Sequence, residues 1–269
     1  KKVWTMTLSG SHSGGETSLL HLTDDSANVA AIATPGGPRF NIISGALGTP
    51  SGSDRVNTFA HVNYDINDPT YGILLCINGA GRLNSWLKNS ILGGVLSYNE
   101  MNALASQVPI GSGGINIHPF GNGTERMLKN INDGAHITGL DFNQHNKAHL
   151  IRAVQEGIAN AFRYGLDILK DLDLEPKVIR VGKSNLFLSP LFCEIFANVC
   201  NTPIEIYNTD GAQGAARGAA FGNGFYESLD DTFKNLKIIN SYIPENGLCK
   251  QYDDYYQSWK EQLLYQLQK

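Results

Sequence analysis

Residues 177–200, KVIRVGKSNLFLSPLFCEIFANVC, hold the residue types and spacing best suited to chemistry. Val178, Ile179 and Val181 make a short β-branched run, the pattern of a buried strand. The run ends at Gly182, and Lys183, Ser184 and Asn185 form a polar turn. Ser189 then precedes Pro190, and Leu191, Phe192, Ile195, Phe196 and Val199 recur at helical spacing. A serine cap with proline in the first helical position starts a helix. At a strand–glycine–helix junction the backbone approaches a ligand closely, and N–H groups at the positive helix end face it. One reading is a nucleotide site; the other is an ordinary βα turn with a structural glycine. On the first reading, Gly182→Arg blocks nucleotide and leaves the chain folded.

Other stretches carry weaker signals. Thr34, Gly36 and Gly37 lie in the turn ATPGGP, where a hydroxyl and N–H groups can cradle phosphate. Pro35 and Pro38 remove two of its donors. The polar loop GNGTER at 121–126 fits a binding loop or a hairpin turn with an exposed ion pair equally well. His145 and His149 have the i, i+4 spacing of a metal pair, but no third ligand is evident, so they read as surface or capping residues. The four cysteines lack metal spacing. Cys193 and Cys200 stand roughly 10 Å apart along one helix, too far to bridge. All four read as reduced core thiols of a cytoplasmic protein.

The elements that must position these residues follow from periodicity. A strand is expected at 3–8, a Gly/Ser loop at 9–18, a mixed segment from 18 that starts with a short helix, and a strand at 40–43. Residues 55–62 and 71–78 read as a hairpin. The turn 78–81 leads into a helix carrying Leu83, Trp86 and Leu87. A second helix, 97–107, has Tyr98, Met101, Leu104 and Ala105 on its apolar face. A strand at 115–120 precedes the longest helix, 147–172. Within it Arg152 and Glu156 are placed to pair, and Gly157 and Gly165 to admit another backbone. A strand at 203–207 leads to a helix of small residues, 210–220, suited to lying tight against a sheet, a helix or a flat ligand. Trp259, Leu263, Leu264 and Leu267 mark a docking C-terminal helix. Strand–helix–strand–helix order from 178 to 220 implies a sheet with helices on its faces.

Composition bounds the rest. The chain has 269 residues, 42% hydrophobic and 17% charged, enough for one large domain or two small ones. A net charge of −4 argues against a basic nucleic-acid surface. No run of 18 apolar residues suggests a membrane helix. The start has neither a signal-peptide core nor an initiator methionine, the expectation for a fragment.

Six pieces in order carry a resemblance: RVNTFAHVN at 55–63, LLCINGAGRLNSWLKN at 74–89, PFGNGTERML at 119–128, HNKAHLIRAVQEGI at 145–158, VGKSNLFLSPLF at 181–192 and DGAQGAARGAAFGNG at 210–224. Together they resemble the C-terminal domain of the FGGY carbohydrate kinases, nearest the xylulokinases. The resemblance implies an α/β, actin-like ATPase (ribonuclease H-like) domain, a mixed sheet with helices on both faces. It implies one nucleotide-binding domain over 1–269, poorly matching at 1–50, with the sugar-binding N-terminal domain absent. It further implies transfer of the γ-phosphoryl of MgATP to a sugar hydroxyl, with ATP, ADP and a sugar as partners and no nucleic acid or membrane. Nucleotide contacts map to Gly182, Lys183, Ser184, Asn185 and Ser189, and a second phosphate loop to Thr34, Gly36 and Gly37. The helix from Gly211 is expected to pack the core beside that site. The family's catalytic aspartate falls at Ser13, which cannot act as that base, so no catalytic residue or metal ligand is assigned. Two functions follow: the ATP-binding half of a sugar kinase, inactive alone, or a non-catalytic actin-like module binding nucleotide or a partner. The 252–259 region, read as exposed, is a candidate homodimer contact.

Overall fold

The computed structural model describes residues 4–9, 17–24, 55–60 and 71–269, with backbone alone at 4–9, 17–24, 58–60, 71 and 229. In chain order the elements are β1 (Trp4–Ser9), β2 (Thr17–Asp24), β3 (Asn57–Ala60), β4 (Tyr71–Asn78), α1 (Ala80–Trp86), α2 (Tyr98–Ala105), β5 (Asn116–Phe120), β6 (Gly134–Thr138) and α3 (Lys147–Lys170). They continue with β7 (Val178–Gly182), α4 (Pro190–Cys200), β8 (Ile204–Tyr207), α5 (Gly211–Gly222), α6 (Leu229–Phe233), β9 (Ile238–Tyr242) and α7 (Asn246–Gln266).

Seven strands form one mixed sheet in the order β3-β4-β2-β1-β7-β8-β9, and β5 and β6 make a separate ribbon. β1, β7 and β8 run parallel. β2 is antiparallel to both β1 and β4, so β4 points the same way as the parallel three. The carboxyl ends of β4, β7 and β8 therefore open on one edge of the sheet, and each leads into a helix. The expected helix start at residue 18 is not found: Thr17–Asp24 is a strand, its backbone held from both sides by β1 and β4. Two-sided pairing outweighs the weak local preference of a mixed segment. The expected strand at 40–43 lies outside the described residues.

α3 is the central helix. Ile151, Val154, Ile158, Ala161, Phe162 and Leu169 are all buried, as their spacing predicts. Gly157 explains how it sits so close to β5: a Cβ there would stand 2.4 Å from the carbonyl oxygen of Ile117. The expected Arg152–Glu156 pair is present and enclosed, with Nε and Oε1 2.8 Å apart. Arg152 Nη2 also donates to the Tyr252 hydroxyl at 2.6 Å. Glu156 accepts from the Gly111 N–H at 3.2 Å and the Ser112 hydroxyl at 2.7 Å. One buried pair thus ties α3 to α7 and to the turn before β5.

α7 closes the domain. Trp259 and Leu263 are fully buried, as expected for a docking helix, whereas Leu264 is 40% exposed on the opposite face. The 252–259 stretch, read as exposed, is exposed only on one side: Asp254, Gln257 and Ser258 face outward, while Tyr252, Tyr256 and Trp259 face the core. Their i, i+4, i+7 spacing makes one stripe, and that stripe is the docking face. Trp259 Nε1 donates to the Ile117 carbonyl at 2.7 Å, and His118 Nε2–H donates to the Trp259 carbonyl at 3.0 Å. Burial lowers the His118 pKa, which keeps the ring neutral. Trp259→Phe keeps most of the packing but leaves the Ile117 carbonyl unpaired. Chemical denaturation is expected to show a loss of about 1–3 kcal/mol; a loss near zero would mean the indole bond is dispensable.

The small-residue helix departs from expectation. α5 buries only Gly214, so it does not pack the core. Glycine and alanine offer little apolar area to hold a helix down, and α5 is anchored instead at its start. Asp210 Oδ1 caps the Gln213 N–H at 2.8 Å, and Arg217 Nη1 donates to Thr209 Oγ1 at 3.0 Å. All four cysteines are free, but only Cys193 and Cys200 are core thiols; Cys76 and Cys249 are half-buried. Burial pushes the Cys193 thiol up to about 12, so it stays protonated. No helix among the described residues is long and apolar enough to cross a membrane.

Candidate functional site: a cleft at the carboxyl ends of the strands

The strand–turn–helix forms where the sequence places it. β7 ends at Gly182, Asn185–Leu188 makes a 3-10 turn, and Ser189 caps α4 by accepting from the Phe192 N–H at 3.2 Å, with Pro190 in the first turn. Asn185 takes the left-handed conformation, φ +52°. Phe187 holds the turn down, its ring 5.3 Å from both Phe192 and Phe196.

Gly182 lies beneath the turn and does not line the cleft. It is buried, and a Cβ there would meet the Thr209 carbonyl oxygen at 2.6 Å and the Asp210 Cα at 3.3 Å. The Lys183 N–H is shared between the carbonyls of Tyr207 at 3.1 Å and Thr209 at 2.8 Å, so this donor is already used. Glycine is required because the β7 and β8 exits touch there. Gly182→Arg is therefore no probe of ligand contact, since the backbone leaves no room for any side chain.

The turn forms one wall of a cleft of about 570 Å³ at the carboxyl ends of β4, β7 and β8. Lys183, Ser184, Asn185, Leu186, Leu188 and Ser189 line it, with Asp210 beside them. The opposite wall comes from α1 and α2: Gly81, Asn84, Ser85, Tyr98, Asn99 and Asn102. Ligands of open α/β sheets bind outside the carboxyl ends of strands. The volume lies within the usual range of small-molecule sites.

Chemically the two walls differ. Leu188 and Tyr98, 60% and 46% exposed, give apolar surface for a flat ring. Tyr98 was expected on the apolar face of its helix, yet it turns outward to the cleft. Lys183 brings a cation with no ion pair among the described residues, a complement to phosphate. The α1–α2 wall is rich in carboxamides. Asn84 is 92% buried, and its Oδ1 has no hydrogen-bond partner among the described residues. Asn102 Oδ1 accepts from Gln155 Nε2 at 2.9 Å, and the Oε1 of buried Gln155 is also unpartnered.

The structure therefore brings Lys183, Ser184, Asn185 and Ser189 to one site and places Gly182 under it. Thr34, Gly36, Gly37 and Ser13 lie outside the described residues. Sequence reasoning missed Asn84, Asn99, Asn102 and Asp210. The polar residues of the amphipathic pieces 80–86 and 98–105 could have pointed to the first three, because both helices follow glycine-rich or polar entries. The loop 121–126 joins β5 to β6 and runs into the 3-10 turn Glu125–Leu128, with Asn78 Nδ2 donating to Glu125 Oε1 at 3.0 Å. His145 Nδ1 accepts from the Asp141 N–H at 2.9 Å, so Nε2–H donates to the Gly113 carbonyl at 3.1 Å. His149 completes the capping box of α3 with Asn146. His149 thus serves as a cap, and His145 links the turn at Asp141 to Gly113.

Comparison with known proteins fits this geometry. Residues 47–222 match the model of the FGGY family of carbohydrate kinases, C-terminal domain. The chain is 31% identical to a xylulose kinase of Haemophilus influenzae over 69% of its length and 38% of that protein. It is 25% identical to the Bacillus subtilis xylulose kinase over 77% of its length and 40% of that protein. The chain thus spans about two fifths of the curated relatives it matches. The xylulose kinase of Rhodospirillum rubrum shares the fold, with a TM-score of 0.70 and 21% identity over 97% of this chain and 47% of that one. That likeness makes the architecture actin-like. With the family model covering well over half the residues, the chain belongs to the FGGY family of carbohydrate kinases and carries its C-terminal domain.

Proposed function

We propose that this chain is the nucleotide-binding part of an ATP-dependent sugar kinase that phosphorylates xylulose. The observation that carries the reading is the cleft itself, in a chain of this family. Its apolar patch at Tyr98 and Leu188 suits the base, and Lys183 and the Ser184–Asn185 turn suit ribose and phosphate oxygens. The first N–H groups of a helical turn have no acceptor within it, and here that turn begins at Asn185. The xylulose assignment rests on the named relatives.

ATP brings Mg²⁺, which would neutralise phosphate charge during transfer. Among the described residues no group of three His, Cys, Asp or Glu side chains could hold it, so no step is assigned to a metal ligand here. The contribution of the residues in the cleft is binding and orientation: holding the nucleotide by its adenosine end so that the γ-phosphoryl lies in line with a sugar hydroxyl.

The test is calorimetric titration with ADP, followed by sugar-dependent ADP release from the full-length protein. Saturable binding of ADP and turnover that needs xylulose are expected. Absence of heat at millimolar ADP would overturn the nucleotide reading. Turnover with glycerol or gluconate in place of xylulose would overturn the substrate alone.

A further inference from the structure

The carboxamide wall of the cleft is not explained by folding. Asn84 sits on the inward side of α1 beside buried Ala80, where an aliphatic side chain would pack without loss. Its Oδ1 is shut off from solvent and bonded to nothing among the described residues. Behind Asn102, buried Gln155 gives its Nε2 to Asn102 Oδ1 and leaves its own oxygen unpaired. A buried amide without partners is destabilising, so its presence at a cleft wall points to a partner that arrives from the cleft.

We infer that Asn84 is a specificity-determining residue that reads the amino edge of an aminopurine base, with Asn102, held by Gln155, beside it on the same wall. This rests on the nucleotide reading of the cleft. A carboxamide offers one donor and one acceptor side by side in a plane. Adenine offers the matching pair, the 6-amino donor next to a ring nitrogen acceptor, and Asn and Gln pair with that edge in two-point fashion. Tyr98 and Leu188 line the same cleft and supply the apolar surface along which the ring plane would lie. The phosphates would then extend toward Lys183. A small rotation of the Asn84 amide would be needed to present both atoms, and it would relieve the unpaired oxygen.

The experiment compares ADP with purine riboside diphosphate, which lacks only the 6-amino group, on wild type and Asn84→Leu of the full chain by calorimetry. Wild type is expected to bind ADP about 10-fold tighter than the amino-less analogue, the discrimination typical of one net hydrogen bond. In Asn84→Leu the ratio is expected to fall to about 1, while the thermal midpoint without ligand stays level or rises, because the unpaired amide is gone. A structural role predicts the opposite: a lower midpoint and an unchanged ratio. If wild type binds no ADP, the nucleotide reading falls and this inference with it. If wild type binds ADP and the ratio survives in Asn84→Leu, only the assignment to Asn84 is overturned. Should Asn84→Leu fail to fold, Asn84→Ala decides: it removes the acceptor and the donor together, and an unchanged ratio there overturns the assignment too.

Discussion

Arg152→Met is expected to lower the free energy of unfolding by about 3–5 kcal/mol at neutral pH, the cost of leaving a buried charge without its partner. Glu156 is fully enclosed, and with Arg152 gone only the Gly111 N–H and the Ser112 hydroxyl still serve it. The Tyr252 hydroxyl loses its donor as well, which loosens α7 against α3. Urea denaturation of wild type and variant measures the difference. Burial already raises the Glu156 pKa in the folded chain, and the neighbouring guanidinium opposes that rise. Without Arg152 the carboxyl pKa moves further up. A group whose folded pKa lies above its unfolded value contributes stability below the unfolded pKa and loses it as pH rises through the folded one. The deficit of Arg152→Met relative to wild type should therefore shrink as pH falls toward the ordinary glutamate range and grow toward neutrality. The double change Arg152→Met with Glu156→Leu should recover most of the loss, since it removes both charges. A deficit that stayed constant with pH would show that lost packing of the arginine stem, and not the stranded carboxylate, sets the cost.

Much of this arrangement is legible in the chain because it is local. The i, i+4 spacing of Arg152 and Glu156 predicts their pairing, and the apolar stripe around them predicts that α3 is buried. The Ser189–Pro190 start and the run before Gly182 likewise define β7, the turn and α4 to within a residue or two. What could not be read depends on distant chain segments. β2 is a strand because β1 and β4 flank it, which no window of eight residues reveals. Trp259 was legible as a docking residue, but Tyr252 and Tyr256 could not be placed with it on the buried side. The far wall of the cleft is supplied by α1 and α2, about a hundred residues before the turn they face. Only the shared direction of β4, β7 and β8 brings these helices to the same edge.

Gly182 packs beneath the turn that lines the cleft. Gly182→Ala is expected to destabilise the chain by about 1–3 kcal/mol, the usual cost of forcing a methyl into a filled space. It is also expected to weaken ADP binding by at least about tenfold. Its Cβ would stand 2.6 Å from the Thr209 carbonyl oxygen, and a backbone atom cannot swing aside as a side-chain tip can. That carbonyl also accepts from the Lys183 N–H, so displacing it releases the start of the turn. The shift would carry Asp210 and the cap of α5 with it. Stability and affinity should therefore fall together, and a low temperature or a stabilising osmolyte that restores the fold should restore part of the binding. A glycine that touched ligand directly would behave differently. Alanine there would cut affinity and leave the denaturation curve of the free chain unmoved. Paired measurements of ADP affinity and urea midpoint on Gly182→Ala separate the two roles. Lost affinity with an unchanged midpoint would put Gly182 back in the cleft wall.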